Sequence, residues 1–217
     1  MSVNRARLTR ARVVDAAVAV ADSGGLTGVS MRTVGRELGV EAMSLYHHVA
    51  DKGALLDAMV DWIFTRIDVP AAGDGWRAGM VRCADSARAV LTEHPWALGL
   101  IESRRTPGPA TLRHHDAILG CLRRNGFPID LASHTFSAID SYVYGFVLTE
   151  MNLPFSDGAD EFVGEFTEAL PMDEYPHLGE LAAVIMASGY RYADEFGYGL
   201  GLILDSIEHR LGRAARE

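Results

Sequence analysis

The chain has 217 residues, of which 48% are hydrophobic and 23% are charged. This composition is typical of a globular protein and excludes a chain that is mainly disordered. Its two cysteines, Cys83 and Cys121, are too few for a disulfide scaffold or a structural zinc site. We therefore expect a folded, cytoplasmic protein with reduced thiols.

The charge is distributed unevenly along the chain. Residues 1–52 contain seven Lys/Arg and five Asp/Glu, whereas the remainder contains 13 and 24, for a net charge of −9. An acidic protein of this kind is a poor candidate for coating nucleic acid without sequence preference. A mildly basic head followed by an acidic body predicts two domains, residues 1–52 and 53–217.

The N-terminal segment superficially resembles a secretory signal, because arginines precede an apolar run over residues 13–21. Asp15 interrupts that run, and an amphipathic helix accounts for the segment better. No stretch reaches the roughly 18 apolar residues of a membrane span. We expect no membrane association.

The first half of the chain has helical periodicity with recognisable caps. Thr9 can cap a helix that reaches about Ser23, where Gly24 and Gly25 would end it. Ser30 can cap a second helix. Beyond it, the sequence predicts a left-handed turn at residue 39, a short helix over 41–48 and a long helix capped by residue 51.

The body is also helical in pattern, with no alternating strand character and no internal repeat. We predict an all-α fold of nine or ten helices. The sequence predicts body helices over 76–92, after 94–95, and over 111–124, 129–152, 180–188 and 193–213, with an acidic loop over 156–174 that contains a short helix.

Residues 30–49 have a helix-turn-helix layout, in which the second helix enters the major groove of DNA. Gly35 would let the two helices pack closely; the alternative is a helical hairpin that is only part of a core. Arg32 can reach a base edge, and Lys52 can pair with a phosphate. The predicted DNA-contacting residues are Arg32, Ala42, Met43, Ser44, Tyr46, His47, His48 and Lys52.

The run from 38 to 56 resembles the signature of the tetracycline-repressor (TetR) family. It contains a Leu-Tyr-His-His-Val segment, then an Asp-Lys turn and a Leu-Leu pair. The similarity covers about residues 9–62. Segments 125–127, 141–146 and 196–207 resemble the C-terminal domain of the tetracycline-repressor subgroup.

The resemblance implies an N-terminal three-helix DNA-binding domain and a C-terminal helical domain for ligand binding and dimerisation. It implies that Arg32, Ala42 and Met43 face bases and that Ser44, Tyr46, His48 and Lys52 contact the DNA backbone. Ala42 departs from the longer polar residue of the tetracycline repressor, so we expect a different operator.

An effector domain of this kind is expected to enclose an apolar pocket with few polar groups. Glu102 and Asp140 are the sharper candidates, since a buried carboxylate is costly without a partner; Asp140 could instead face solvent or a dimer interface. Glu102 replaces the subgroup's pocket His, which argues against tetracycline–magnesium, and we expect no metal and no cofactor. The predicted effector-contacting residues are Ile63, Ile67, Cys83, Trp96, Ile101, Glu102, His115, Ile118, Phe136, Asp140 and Val143.

Small residues recur at helical spacing on two of the body helices. This pattern predicts a four-helix bundle between two copies of the chain, and packing within one monomer is the alternative. The predicted interface residues are Ser137, Ser141, Gly145, Gly197, Gly201 and Leu204.

The sequence thus predicts a ligand-responsive, sequence-specific transcriptional regulator. We expect a homodimeric repressor that a small, mostly apolar effector releases from double-stranded operator DNA. The sequence has no nucleophile elbow, no zinc-protease motif and no phosphate loop after a strand, so we expect no catalytic residues and no enzyme activity.

Overall fold

The computed structural model describes residues 7–153, 174–188 and 190–214, and the regular structure within them is entirely helical. The predicted all-α fold is confirmed. No helix in these ranges is long and apolar enough to cross a membrane. The helices are α1 (Arg10–Gly28), α2 (Met31–Leu38), α3 (Ala42–Leu45), α4 (Lys52–Phe64), α5 (Trp76–Glu93), α6 (Ala97–Ser103), α7 (Pro109–Arg124), α8 (Ile129–Met151), α9 (Pro176–Ser188) and α10 (Glu195–Ala214).

The chain forms two compact units, Met1–Phe136 and Ser137–Glu217. In the first unit α1 packs against α2 and α4, α2 packs against α3, and α4 packs against α6 and α7. The boundary predicted between residues 52 and 53 concerns a functional division and stays a prediction.

The predicted end of α1 is wrong by one short turn. Thr9 caps the helix as expected, since its hydroxyl accepts a hydrogen bond from the Arg12 amide at 3.3 Å. Of the two glycines, Gly25 leaves the helical region, with φ 68° and ψ 175°. Residues beyond this break form a further helical turn that ends at Gly28.

The short helix α3 is also shorter than predicted. It covers Ala42–Leu45, and residues 46–48 form a turn instead of continuing the helix. The amides of His48 and Val49 both donate to the Leu45 carbonyl, at 2.8 and 3.0 Å, which closes the chain into that turn.

The body helices match the predicted pattern with shifted starts. α7 begins at Pro109 and α9 at Pro176, in each case earlier than predicted, because proline is favourable in the first helical turn. α10 begins at Glu195, after a 3₁₀ turn over Tyr192–Asp194. The predicted acidic loop falls almost wholly outside the described residues.

Candidate DNA-binding and effector sites

The start of α2 is fixed by a reciprocal capping box. The Ser30 hydroxyl accepts from the Thr33 amide at 3.1 Å, and the Ser30 amide donates to the Thr33 hydroxyl at 2.9 Å. The Thr33 hydroxyl in turn donates to the Gly28 carbonyl at 2.8 Å. These bonds set the corner between α1 and α2, and therefore the direction in which Arg32 leaves the helix.

The turn between α2 and α3 depends on two glycines. Gly39 adopts the left-handed conformation, with φ 66°, as predicted, and this conformation disfavours other residues. A Cβ atom on Gly35 would lie 2.9 Å from the Val40 carbonyl oxygen and 3.2 Å from the Ala42 amide nitrogen. Gly35 therefore permits the close approach of α3 that the sequence predicted.

The predicted DNA-contacting side chains lie on one side of this frame, outside its core. Leu45 and Val49 are buried and anchor the segment. Met43 is 72% exposed and Tyr46 is 45% exposed, high values for apolar and aromatic side chains. Of the other candidates, Arg32, His47 and Lys52 are exposed, and Ala42, Ser44 and His48 are half-buried.

Lys52 is the first residue of α4, next to its cap. The Asp51 carboxylate accepts from the Ala54 amide at 2.8 Å, which confirms the predicted cap. The first turns of α2 and α4 contain no acidic residue. The positive ends of these two helix dipoles are thus available to an anion such as a DNA phosphate.

Aspartates on α1 link it to the body helices of the first unit. The Asp15 carboxylate accepts from the Trp62 indole N–H at 2.7 Å. The Asp22 carboxylate accepts from the Trp96 indole N–H at 2.6 Å and lies 2.8 Å from His94 Nδ1. Trp96, a predicted effector residue, therefore directs its polar atom to α1.

Aspartates on α4 provide a second link, to the segments around α6 and α7. The Arg104 guanidinium donates to Asp57 at 2.5 Å. The Asp61 carboxylate accepts from the amides of Ala110 and Thr111 at 2.6 and 3.0 Å, which caps the start of α7. The sequence analysis missed these residues, although carboxylates four residues apart in the otherwise apolar α4 were a usable signal.

The inner side of the body in the first unit contains an aromatic and imidazole cluster. The Phe64 ring lies 5.1 Å from His114 and 5.8 Å from His115, and His115 lies 5.0 Å from Phe136, measured between ring centroids. Cys83 Sγ lies 3.5 Å from His114 Nε2. The structure thus brings together three predicted effector residues, Cys83, His115 and Phe136.

His114 is the member of this cluster that the sequence analysis missed. Burial, with a smaller contribution from neighbouring His115, lowers its pKa to about 4. Burial also lowers the pKa of His115. His114 is therefore a neutral imidazole at physiological pH, with one ring nitrogen as donor and the other as acceptor.

The remaining predicted effector residues of the first unit differ in burial. Glu102 is exposed, so the argument from the cost of burying a carboxylate does not apply to it. Ile101 is half-buried. Ile63, Ile67 and Ile118 are buried. No group of three or more His, Cys, Asp or Glu within the described ranges has an arrangement that could hold a metal ion.

The second unit is organised around an aromatic cluster between α8 and α10. The Tyr142 hydroxyl donates to the Glu195 and Phe196 carbonyls at 3.2 and 2.9 Å. A Cβ atom on Gly199 would overlap that hydroxyl, so Gly199 serves packing within the unit. The predicted effector residues on α8 are placed with Asp140 half-buried and Val143 buried.

The predicted dimer residues are mostly on the surface of the second unit. Ser137, Ser141, Gly145 and Gly197 are exposed and Gly201 is half-buried. The prediction for Leu204 is wrong, because its side chain is 1% exposed and belongs to the core of the unit. Exposed apolar side chains on the same helices are Leu148, Tyr198 and Leu202.

Two family models match the chain. "Bacterial regulatory proteins, tetR family" matches residues 13–59, and "Tetracyclin repressor-like, C-terminal domain" matches residues 69–211. The HTH-type transcriptional repressor DrrR1 of Streptomyces coeruleorubidus is 36% identical over 93% of this chain and 77% of its own length. The class D tetracycline repressor protein of Escherichia coli is 31% identical over 67% of each chain.

Solved structures give the same result. Apo ActR from Streptomyces coelicolor superposes with a TM-score of 0.80 at 25% identity, covering 96% of this chain and 99% of that one. ActR in complex with actinorhodin gives a TM-score of 0.78 at 27% identity, over 95% and 100% of the two chains. The chain is therefore a member of the TetR family of bacterial transcriptional regulators, with a helix-turn-helix domain followed by a tetracycline-repressor-like helical domain.

Proposed function

We propose that this regulator is a homodimeric repressor with a DNA-binding head over residues 1–52 and an effector-binding and dimerisation body over 53–217. The observation that supports this most strongly is the exposed surface around α3, where Met43 and Tyr46 stand in solvent on a frame fixed by Gly35 and a capping box. Exposed side chains on a rigid frame are suited to contact with a second macromolecule.

Within this surface we assign base readout to Arg32, Ala42 and Met43. Arg32 can donate two hydrogen bonds to a guanine edge, and Met43 can pack against a thymine methyl group. Ser44, Tyr46, His47, His48 and Lys52 would bind phosphate oxygens and fix the register on the duplex.

The dimer would form through α8 and α10. The small exposed residues Ser141, Gly145 and Gly197 permit close approach of a second copy, and Tyr198 and Leu202 provide apolar surface to bury. A two-fold dimer would present two heads to successive major-groove faces of a palindromic operator in the cytoplasm.

The body would bind a small, mostly apolar effector and release the DNA. The ActR structures with actinorhodin and with (S)-DNPA support an effector-binding role for this fold. In this chain, Asp57 and Asp61 of α4 bind segments of the body, and Asp15 and Asp22 of α1 bind Trp62, His94 and Trp96. A ligand that moves α7 would thus move α4 and the head, and would favour a head spacing that no longer fits the operator.

The test is selection of bound sequences from a random duplex pool with the purified full chain. We expect one enriched palindromic sequence, whose affinity exceeds that for random DNA at physiological salt by about a thousandfold or more. Equal affinity for all duplexes, with the steep salt dependence of a coating protein, would contradict the proposal.

A further inference from the structure

Three buried polar atoms in the first unit have no hydrogen-bond partner among the described residues. They are Thr111 Oγ1, His114 Nδ1 and Thr135 Oγ1, and their residues are 6%, 4% and 1% exposed. Such atoms destabilise a folded chain, because their hydration is lost and not replaced. Proteins retain few of them, and each calls for a functional explanation.

The three atoms belong to neighbouring positions on α7 and α8. Thr111 and His114 are three residues apart on α7 and so share one face of that helix. His114 Nε2 lies 3.5 Å from Cys83 Sγ, which leaves Nδ1 as the unused ring nitrogen. His114 directly precedes His115 and Thr135 directly precedes Phe136, and the rings of His115 and Phe136 are 5.0 Å apart.

The chemistry of these groups indicates the type of ligand atom that they would accept. A threonine hydroxyl both donates and accepts, and a neutral imidazole nitrogen does one or the other. Desolvation holds the pKa of His114 at about 4, so none of the three groups is charged at neutral pH. A carboxylate or phosphate would require a cationic partner, whereas a hydroxyl or carbonyl would not.

The surroundings are aromatic. The rings of Phe64, His115 and Phe136 form a chain of edge and tilted contacts beside His114. Aromatic side chains favour offset-stacked or edge-to-face packing with another ring.

We propose that Thr111, His114 and Thr135 form a polar subsite of the effector site that binds an uncharged hydroxyl or carbonyl group on an aromatic ligand. This inference rests on the proposed function, since it assigns the three atoms to the effector of a regulator.

The first test compares three probes that share one ring system, namely naphthalene, 2-naphthol and 2-naphthoate. Their affinities for the full chain are measured by calorimetry, with thermal shift as a second readout. We expect 2-naphthol to bind about tenfold more tightly than the other two, because it alone supplies a neutral hydroxyl. Equal affinities, tighter binding of 2-naphthoate, or no binding of 2-naphthol would overturn the inference.

The second test uses Thr111→Val and Thr135→Val, which remove a hydroxyl and keep the shape. Each change should weaken 2-naphthol binding about fivefold to tenfold and leave the affinity for naphthalene unchanged. In the ligand-free chain each should keep or raise the Tm, because an unpaired buried hydroxyl is removed.

Thr33→Val is the matched control, because that hydroxyl is bonded to the Ser30 amide and the Gly28 carbonyl. It should lower the Tm and leave 2-naphthol binding unchanged. If Thr111→Val and Thr135→Val lower the Tm as Thr33→Val does, and 2-naphthol binding is undiminished, the hydroxyls serve the fold and the inference is wrong.

The outcome for the regulator is read separately, from the selection of bound duplexes. A chain that enriches an operator but shows no preference for 2-naphthol disproves the subsite alone. A chain that shows the probe preference but enriches no DNA sequence disproves the proposed function, and the subsite stands as a ligand site.

Discussion

In the segment from α2 to α4, the hydroxyl and carboxylate groups that shape the backbone are paired with it, whereas on α7 and α8 three buried polar atoms have no partner among the described residues. Ser30, Thr33 and Asp51 each bond to a backbone amide or carbonyl of a neighbouring turn. Thr111, His114 and Thr135 are buried more deeply but lack such a bond.

The difference follows from what each region binds. A surface that docks against DNA needs a rigid frame, so its internal polar groups are satisfied by the chain and its reading groups face solvent. A pocket that encloses a small molecule keeps polar groups inside, where the ligand is expected to satisfy them. Each prediction below breaks or sharpens this contrast.

The largest expected effect comes from Gly35→Ala, which breaks the frame of the head. The added Cβ would lie 2.9 Å from the Val40 carbonyl oxygen, and the backbone would have to shift. We expect the free energy of unfolding to fall by about 3 kcal/mol and operator binding to be lost. Denaturant titration and fluorescence anisotropy measure the two effects.

Gly24→Ala is the matched control, since nothing lies within 4 Å of a Cβ at that position. It should be neutral or raise the stability by up to about 1 kcal/mol. Equal destabilisation by the two changes would show that the α2–α3 approach does not limit the fold.

The second prediction concerns pH and the unpaired imidazole. His114 has a folded pKa of about 4, below the value of about 6.5 for an unfolded chain. Between these values the unfolded chain binds a proton that the folded chain does not, so stability falls as the pH falls through this window. From pH 7.5 to pH 5 the wild type should lose about 2 kcal/mol more than His114→Gln.

Titration of unfolding at the two pH values gives the result, and His209→Gln on an exposed position of α10 is the control. The control should retain the full loss of the wild type. If His114→Gln retains it as well, the acid sensitivity arises elsewhere in the chain.

Arg32→Ala tests the reading groups of the head. It should cost about 1–3 kcal/mol of affinity for the operator and relax the preference at one base position. Competition binding with single-base variants of the operator measures both. An even loss of affinity across all of these duplexes would assign Arg32 to a phosphate.

Asp61→Ala tests the link between α4 and α7. It removes the acceptor for the Ala110 and Thr111 amides, and we expect a loss of about 1–2 kcal/mol in unfolding free energy. Asp61→Asn should recover part of that loss, because its amide oxygen also accepts. Asp116→Ala, at an exposed site on α7, should be neutral; a loss equal to that of Asp61→Ala would contradict the capping role.

The smallest effect is expected for Lys52→Ala. A lysine that neutralises one phosphate contributes to affinity evenly across sequences. We expect the slope of log K against log salt to fall by about one unit, with the base preference unchanged. An unchanged slope in a salt titration would remove Lys52 from the DNA surface.

Much of the head could be predicted from the sequence, because its constraints are local. Ser30, Gly39 and Asp51 act within one or two turns of their own position, and their residue types state their roles. The errors at Gly25 and at the end of α3 concern where a helix stops. Tertiary context decides such ends as much as residue type does.

The body was less predictable, since its contacts join residues far apart in the chain. His114 is adjacent to His115, and the sequence alone does not show which of the two turns toward Cys83. Glu102 looked like an unusual acid on an apolar face, and it is exposed. Asp22 and Trp96 are 74 residues apart, and no local pattern predicts that they bond.

The measurement that tests the account most directly is a hydroxyl-radical footprint of the full chain on its enriched duplex. The account predicts two protected patches of equal strength, symmetric about the centre of the palindrome and about one helical turn or somewhat more apart. A single patch, or uniform protection along the duplex, would contradict a homodimeric regulator that reads DNA through the surface around α3.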